Sequence, residues 1–125
     1  MDNLPSKRQA KKGFSQLLND LMIRKSLSAP DVYKAAWMDR RLFSKIANLS
    51  TNYIPSKPNV IALSLAMKLD AKESKNFIKR AGYILTHGLA FDRVILECLD
   101  EKIYDLERVN QRLEEQGLSP INVTK

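Results

Sequence analysis

The spacing of apolar residues along the chain predicts helices. A first group recurs at i, i+3, i+4, i+7 and i+8, the spacing of one helical face: Phe14, Leu17, Leu18, Leu21 and Met22. Between Ser56 and Leu69 the residues are apolar on nearly every side, which predicts a central buried helix. No stretch alternates polar and apolar positions as a strand does, so we expect an all-α fold.

Local capping signals divide the chain into helices. Two pairs have the spacing of a capping box, in which an N-cap residue is followed three positions later by an acid: Ser28 with Asp31, and Asp70 with Glu73. Ser56 is expected to cap the central helix, and Gly82 to end the helix that follows it. These signals predict five helices within residues 13–87, preceded by a flexible basic arm at residues 1–12.

Residues 88–125 are predicted to form a C-terminal extension of two helices. Two apolar stripes define them: Phe91, Val94, Ile95, Cys98 and Leu99, then Ile103, Leu106, Val109 and Leu113. Asp105 is expected to cap the second of these helices. We expect the first stripe to fold back onto the five-helix core, and the second to contribute to a dimer interface that buries Leu106, Val109 and Leu113.

Residues 28–46 are expected to form two short helices joined by a tight turn. In the first helix Val32, Ala35 and Ala36 should share one face. Asp39 is placed to cap the second helix, whose Phe43 and Ile46 should point inward. The outward positions then hold Arg40, Arg41, Ser44 and Lys45. A short helix buried on one side and lined with cations on the other suits the major groove of DNA.

This stretch resembles the helix-turn-helix of the Cro/C1 phage-repressor family, also called the xenobiotic-response-element type. The residues at that family's core positions are apolar here: Val32, Ala36, Met38, Phe43 and Ile46. Two positions differ, because Tyr33 stands where the family usually has Ala, and Trp37 stands where it usually has Gly. We therefore expect a modified corner at the turn. The resemblance covers roughly residues 13–83 and implies a five-helix repressor-like domain.

The resemblance and the basic helix together predict a sequence-specific double-stranded-DNA-binding protein, a bacterial or phage transcriptional repressor. The expected base-reading residues are Arg40, Arg41, Ser44 and Lys45. Phosphate contacts are expected from the arm and from the start of the fourth helix: Lys7, Arg8, Lys11, Lys12, Asn52, Ser56 and Lys57. Since proteins of this type read paired half-sites, a homodimer is expected.

The charge distribution agrees with a polyanionic partner. The net charge is +7, but residues 1–87 contain 16 Lys and Arg against 6 Asp and Glu, a balance of +10. Residues 88–125 contain 5 against 8, a balance of −3. The basic excess therefore belongs to the part of the chain that contains the predicted reading helix.

Other classes of function are less well supported by the sequence. His87 and Cys98 are the only residues of their types, which argues against a His/Cys metal cluster, and no constellation suggests catalysis or a cofactor. We expect a cytoplasmic protein without a membrane span. Two alternatives stay open: a protein-interaction module such as an antitoxin or an inhibitor of a nucleic-acid-guided nuclease, and binding of unpaired bases by Trp37 and Tyr53.

Overall fold

The computed structural model describes residues 13–51 and 53–123, and all regular elements in these ranges are α-helices. In chain order they are α1 Phe14–Arg24, α2 Ala29–Ala35, α3 Arg40–Ala47, α4 Lys57–Ala66, α5 Ala71–Arg80, α6 Ala90–Asp100 and α7 Leu106–Glu115. The expectation of an all-α protein is therefore confirmed for the described part of the chain. None of these helices combines the length and apolar character needed to cross a bilayer.

Helices α2, α4 and α5 begin where their capping signals place them. Ser28 Oγ accepts a hydrogen bond from Asp31 N at 3.1 Å, and Asp31 Oδ2 accepts one from Ser28 N at 2.9 Å. Asp70 and Glu73 form the second capping box in the same way. Ser56 Oγ caps α4 as predicted. Asp105 stands at the N-cap of α7 but its side chain makes no capping hydrogen bond, so that part of the expectation is wrong.

Six of the seven helices described end in the same reverse turn. Just beyond each helix a residue adopts positive φ: Ser26, Trp37, Lys68, Gly82, Lys102 and Gly117. The residue after it is apolar and donates its N–H back to a carbonyl five positions earlier, as Met38 N does to Tyr33 O at 2.8 Å. Gly82 confirms the predicted helix end. Four of the six turns lack glycine, although left-handed backbone costs other residues roughly 1–2 kcal/mol.

Helix α4 is the centre of the core, as its apolar character predicts. It packs against α2, α5 and α7, and its side chains from Asn59 to Leu65 are all buried. Burying one Val, Leu or Ile side chain contributes roughly 1.5–3 kcal/mol. A helix buried on all sides therefore supplies a large share of the folding free energy, and it fixes the helices that pack around it.

The two C-terminal helices belong to the same hydrophobic core. Helix α6 packs against α5 and α7, and α7 also packs against α4. Leu106, Val109 and Leu113 are at most 2% exposed within a single chain. The expectation that these three residues become buried in a dimer interface is therefore wrong, because α4 and α6 already cover the apolar face of α7. Both stripes fold back onto the core.

Candidate nucleic-acid interface

Helix α3 has one buried face and one basic face. Asp39 is its N-cap, and Asp39 Oδ1 accepts a hydrogen bond from Leu42 N at 2.8 Å. The buried face consists of Leu42, Phe43 and Ile46, of which Leu42 was not anticipated from the sequence. The four residues predicted to read bases are all exposed: Arg40, Arg41, Ser44 and Lys45. The structure therefore brings these four onto one short helix surface.

The preceding helix supports α3 through its buried residues and one ring contact. Val32 and Ala36 are buried, whereas Ala35, expected on the same face, is exposed. The Tyr33 ring lies 5.8 Å from the Phe43 ring, centroid to centroid, at an interplanar angle of 48°. Tilted ring pairs of this kind are favourable. Tyr33, at the position where a small residue was expected, is thus accommodated by packing its ring against Phe43 of α3.

The C-terminal end of α3 is held by side chains. Asn48, which follows the helix, has φ of −72° and forms no left-handed turn. Instead Asn19 Nδ2 on α1 donates to Ala47 O at 3.0 Å, and Thr51 Oγ1 donates to Lys45 O at 3.3 Å. Buried or half-buried carbonyls at a helix end need such donors. The first of these bonds ties the end of α3 to α1, and the second ties it to the loop that follows.

The two arginines of α3 lie over an open, shallow depression. Its lining residues are Asp39, Arg40, Arg41 and Ser44. Neither guanidinium forms an ion pair within residues 13–51 and 53–123. No lining residue comes from α6 or α7, so the acidic C-terminal helices leave this surface uncovered. The depression can therefore accept an external group with hydrogen-bond acceptors.

Lys45 is oriented by an aromatic ring. Its Nζ lies 4.4 Å from the centroid of the Tyr53 ring, a cation–π geometry. Tyr53 is half-buried against the core in the loop between α3 and α4. The contact orders a long, flexible side chain and leaves it exposed beside Ser44. It also occupies one face of the ring that the sequence suggested for stacking on bases.

The predicted phosphate contacts differ in their surroundings. Ser56 is exposed at the start of α4. Lys57 has its Nζ 2.9 Å from Asp92 Oδ2, and Asp92 is fully buried. The ammonium group of Lys57 is therefore paired with a buried carboxylate, while 21% of its side chain stays exposed, and its contact with phosphate stays a prediction. The other five residues of the predicted set lie outside the described residues: Lys7, Arg8, Lys11, Lys12 and Asn52.

The turn before α3 keeps a left-handed corner without glycine. Trp37 has φ of +57°, in the region where glycine is favoured, and 53% of its surface is exposed. The backbone at Trp37 therefore has the left-handed conformation that glycine favours, and the turn differs from the expected one only in carrying a large side chain. The exposed indole lies two positions before the capping residue of α3.

Cys98 and His87, the chain's single cysteine and single histidine, lie outside α3. Cys98 is fully buried in α6, and burial raises the pKa of its thiol. His87 is exposed in the turn before α6. Within residues 13–51 and 53–123 there is no group of three His, Cys, Asp or Glu side chains that could hold a metal ion. The basic face of α3 is thus the best candidate site in the described part of the chain.

No protein-family model, curated protein or solved structure matches this chain.

Proposed function

We propose that this chain is a sequence-specific double-stranded-DNA-binding regulator of the Cro/C1 type, a repressor whose α3 enters the major groove. One observation carries the proposal. Four polar or cationic side chains occupy the exposed face of one short, well-supported helix: Arg40, Arg41, Ser44 and Lys45. An array of this kind has little structural purpose of its own, because its arginines have no acidic partner among the described residues.

The dimensions and chemistry of α3 suit base reading. An α-helix with its side chains is about 10–12 Å across, which fits the roughly 12 Å width of the major groove, and the eight residues of α3 give it a length of about 12 Å. An arginine can donate two parallel hydrogen bonds to guanine O6 and N7, and Ser44 can donate to or accept from several bases. We assign Arg40 and Arg41 to direct base contacts, with Ser44 and Lys45 beside them.

The distribution of charge favours the same surface. Residues 1–87 have a balance of +10, and the negative balance of −3 belongs to residues 88–125. Cations near a phosphate backbone raise affinity by releasing counterions. The acidic helices do not line the depression over α3, so they do not block the approach of DNA. A homodimer on a pseudo-palindrome stays part of the proposal, with an interface that excludes the buried residues Leu106, Val109 and Leu113.

The experiment begins with selection of bound sequences from random duplex DNA by the full-length protein. Affinity for the selected site is then measured at one fixed salt concentration for Arg40→Ala and Arg41→Ala. Each substitution should weaken specific binding roughly 5- to 150-fold and relax preference at one base position. Lys75→Ala, which removes an exposed cation from α5, is the matched control and should have a much smaller effect.

The proposal fails if selection enriches no sequence, or if the two arginine variants bind the selected site as tightly as the wild type. Failure to enrich any duplex would favour the protein-interaction alternative, in which the cations of α3 meet an acidic surface of a partner. Preference for single-stranded over duplex DNA or RNA would favour the hypothesis that Trp37 and Tyr53 bind unpaired bases.

A further inference from the structure

A second concave surface lies between the α2–α3 turn and α7. It is a groove of about 610 Å³, lined by Trp37, by four residues of α7 and by residues 120–122. The α7 residues are Glu107, Asn110, Gln111 and Glu114. Ligand sites in proteins commonly have volumes of roughly 300–1,000 Å³. The groove shares no lining residue with the depression over α3, so it is a separate surface.

The groove combines an aromatic wall with unpaired carboxylates. Trp37 is 53% exposed, and a tryptophan face attracts cations more strongly than any other aromatic side chain. Glu107 and Glu114 form no ion pair with any residue of 13–51 or 53–123. A positively charged ligand suits both the indole and the carboxylates. The phosphates of nucleic acid would be repelled by the carboxylates, so this groove does not suit nucleic acid.

Hydrogen bonds hold the C-terminal segment against α7 along one side of the groove. Asn110 Nδ2 donates to Ile121 O at 3.1 Å, and Asn110 Oδ1 accepts from Ile121 N at 2.7 Å. Ile121 itself is 2% exposed. The C-terminal segment is therefore fastened to α7 alongside the two glutamates. Less free energy is lost in ordering a binding surface when that surface is already formed.

The spacing of the carboxylates indicates the form of the ligand. Glu107 and Glu114 are seven positions apart on α7, which places them on nearly the same side and about 10 Å apart along the helix axis. In a polyproline II segment, residues i and i+3 share one side and are separated by about 9 Å. Segments of this conformation commonly bind in grooves lined by aromatic side chains.

We propose that this groove binds an extended basic segment of a partner protein, with two Lys or Arg side chains three positions apart facing Glu107 and Glu114. The segment lies against the indole of Trp37. The opposite charges and the matching spacing are what favour this occupant. The proposal concerns a different surface from the DNA-binding proposal and stands independently of it.

The test uses the full-length protein and the fluorescence of Trp37, the chain's single tryptophan. The probe is a capped hexapeptide, glycine-arginine-proline-proline-arginine-glycine, titrated at low salt without DNA. A saturable change in emission is expected. Glu107→Gln and Glu114→Gln should each weaken binding about threefold, and together about tenfold, as expected for exposed ion pairs. Glu97→Gln, an exposed carboxylate on α6 outside the groove, is the matched control and should leave binding unchanged.

Two further peptides test the assigned chemistry. Replacing both arginines by citrulline should abolish saturable binding, and placing the arginines next to each other should weaken it. The proposal is overturned if the probe gives no saturable signal at millimolar concentration, if Glu97→Gln weakens binding as much as the groove variants do, or if the citrulline peptide binds equally well.

The proposal would also be overturned if the groove were occupied by the chain's own N-terminal residues or by a second copy of the chain. The variant with glutamine at Lys7, Arg8, Lys11 and Lys12 should bind the probe as the wild type does. Tighter binding by that variant would mean that the chain's own N-terminal segment competes for the groove. A concentration-dependent change in Trp37 emission without peptide, matched by a doubled mass in light scattering, would instead identify a second copy of the chain.

Discussion

Lys57 Nζ lies 2.9 Å from Asp92 Oδ2, so an ion pair joins the first turn of α4 to the first turn of α6. The same carboxylate oxygen accepts a hydrogen bond from Thr86 N at 3.0 Å. Asp92 is fully buried, whereas the side chain of Lys57 is 21% exposed. The pair therefore fixes the C-terminal helices to the central helix.

Removing the acidic member of this pair is expected to destabilise the fold by about 3–5 kcal/mol. Asp92→Ala leaves the Lys57 ammonium near an apolar interior without its partner, and it removes the acceptor for Thr86 N. Urea unfolding at pH 7, followed by circular dichroism, measures the loss.

A double-mutant cycle separates the ion pair from general packing damage. Lys57→Met combined with Asp92→Ala should destabilise the protein by clearly less than the sum of the two single changes, because neither charge is then left unpaired. Additive effects would mean that the two side chains do not depend on each other, contrary to the geometry.

Glycine is expected to stabilise two helix ends where lysine now has positive φ. Lys68 and Lys102 are exposed and have φ of +54° and +59°. Lys68→Gly and Lys102→Gly relieve backbone strain of roughly 1–2 kcal/mol, partly offset by the greater entropy of glycine in the unfolded chain. A net gain of about 0.5–1 kcal/mol in unfolding free energy should appear in urea titrations.

Lys75→Gly provides the control for this prediction, since Lys75 is exposed within α5. There the same change should cost about 1 kcal/mol, because glycine is a poor residue for a helix interior. If glycine changed the unfolding free energy in the same direction at all three positions, relief of strain in the left-handed turns would not explain the changes.

Acid is expected to destabilise the protein partly through two surface carboxylates. A hydrogen bond from Ser28 N, aided by the Ser28 hydroxyl, lowers the pKa of Asp31. A hydrogen bond from Arg112, aided by its charge, lowers the pKa of Glu101. The folded-state pKa of each carboxyl group lies below its unfolded value of about 4. At pH values between the two, the unfolded chain therefore binds more protons than the folded chain, and acid favours unfolding. The stabilisation is present at neutral pH and is lost as pH falls through the folded-state pKa.

The measurement compares urea midpoints at pH 7 and pH 3. Asp31→Asn and Glu101→Gln should each lower the midpoint by more at pH 7 than at pH 3, so the difference between the two pH values shrinks. Glu97→Gln is the control, as its carboxylate makes no hydrogen bond or ion pair with a described residue. A loss of equal size at both pH values would contradict the assigned electrostatic origin.

The basic N-terminal arm is expected to increase DNA affinity without selecting sequence. Replacing Lys7, Arg8, Lys11 and Lys12 by glutamine should weaken binding to all duplexes alike. The slope of log K against log salt should become less steep by roughly one for each lost phosphate contact. Lys75→Gln should leave the slope unchanged. A change in the preferred sequence with an unaltered slope would contradict this role.

The sequence by itself determined the features that depend on nearby residues. Ser28 with Asp31 and Asp70 with Glu73 are three positions apart, so helical geometry alone brings each pair together. The apolar character of residues 57–69 predicts the central helix for a similar reason, because burial follows from the composition of each face. The exposed row on α3 was predictable from Phe43 and Ile46, which define its buried side.

Only the tertiary structure decided which polar groups meet across the chain. Asp92 lies 35 positions after Lys57, and no local pattern indicates that this lysine pairs with a buried carboxylate. The covering of Leu113 by helices of the same chain, where a dimer interface had been expected, also depends on how α7 packs against α4. An apolar stripe on a helix predicts that this face is buried. Which surface covers it depends on how all the helices pack together.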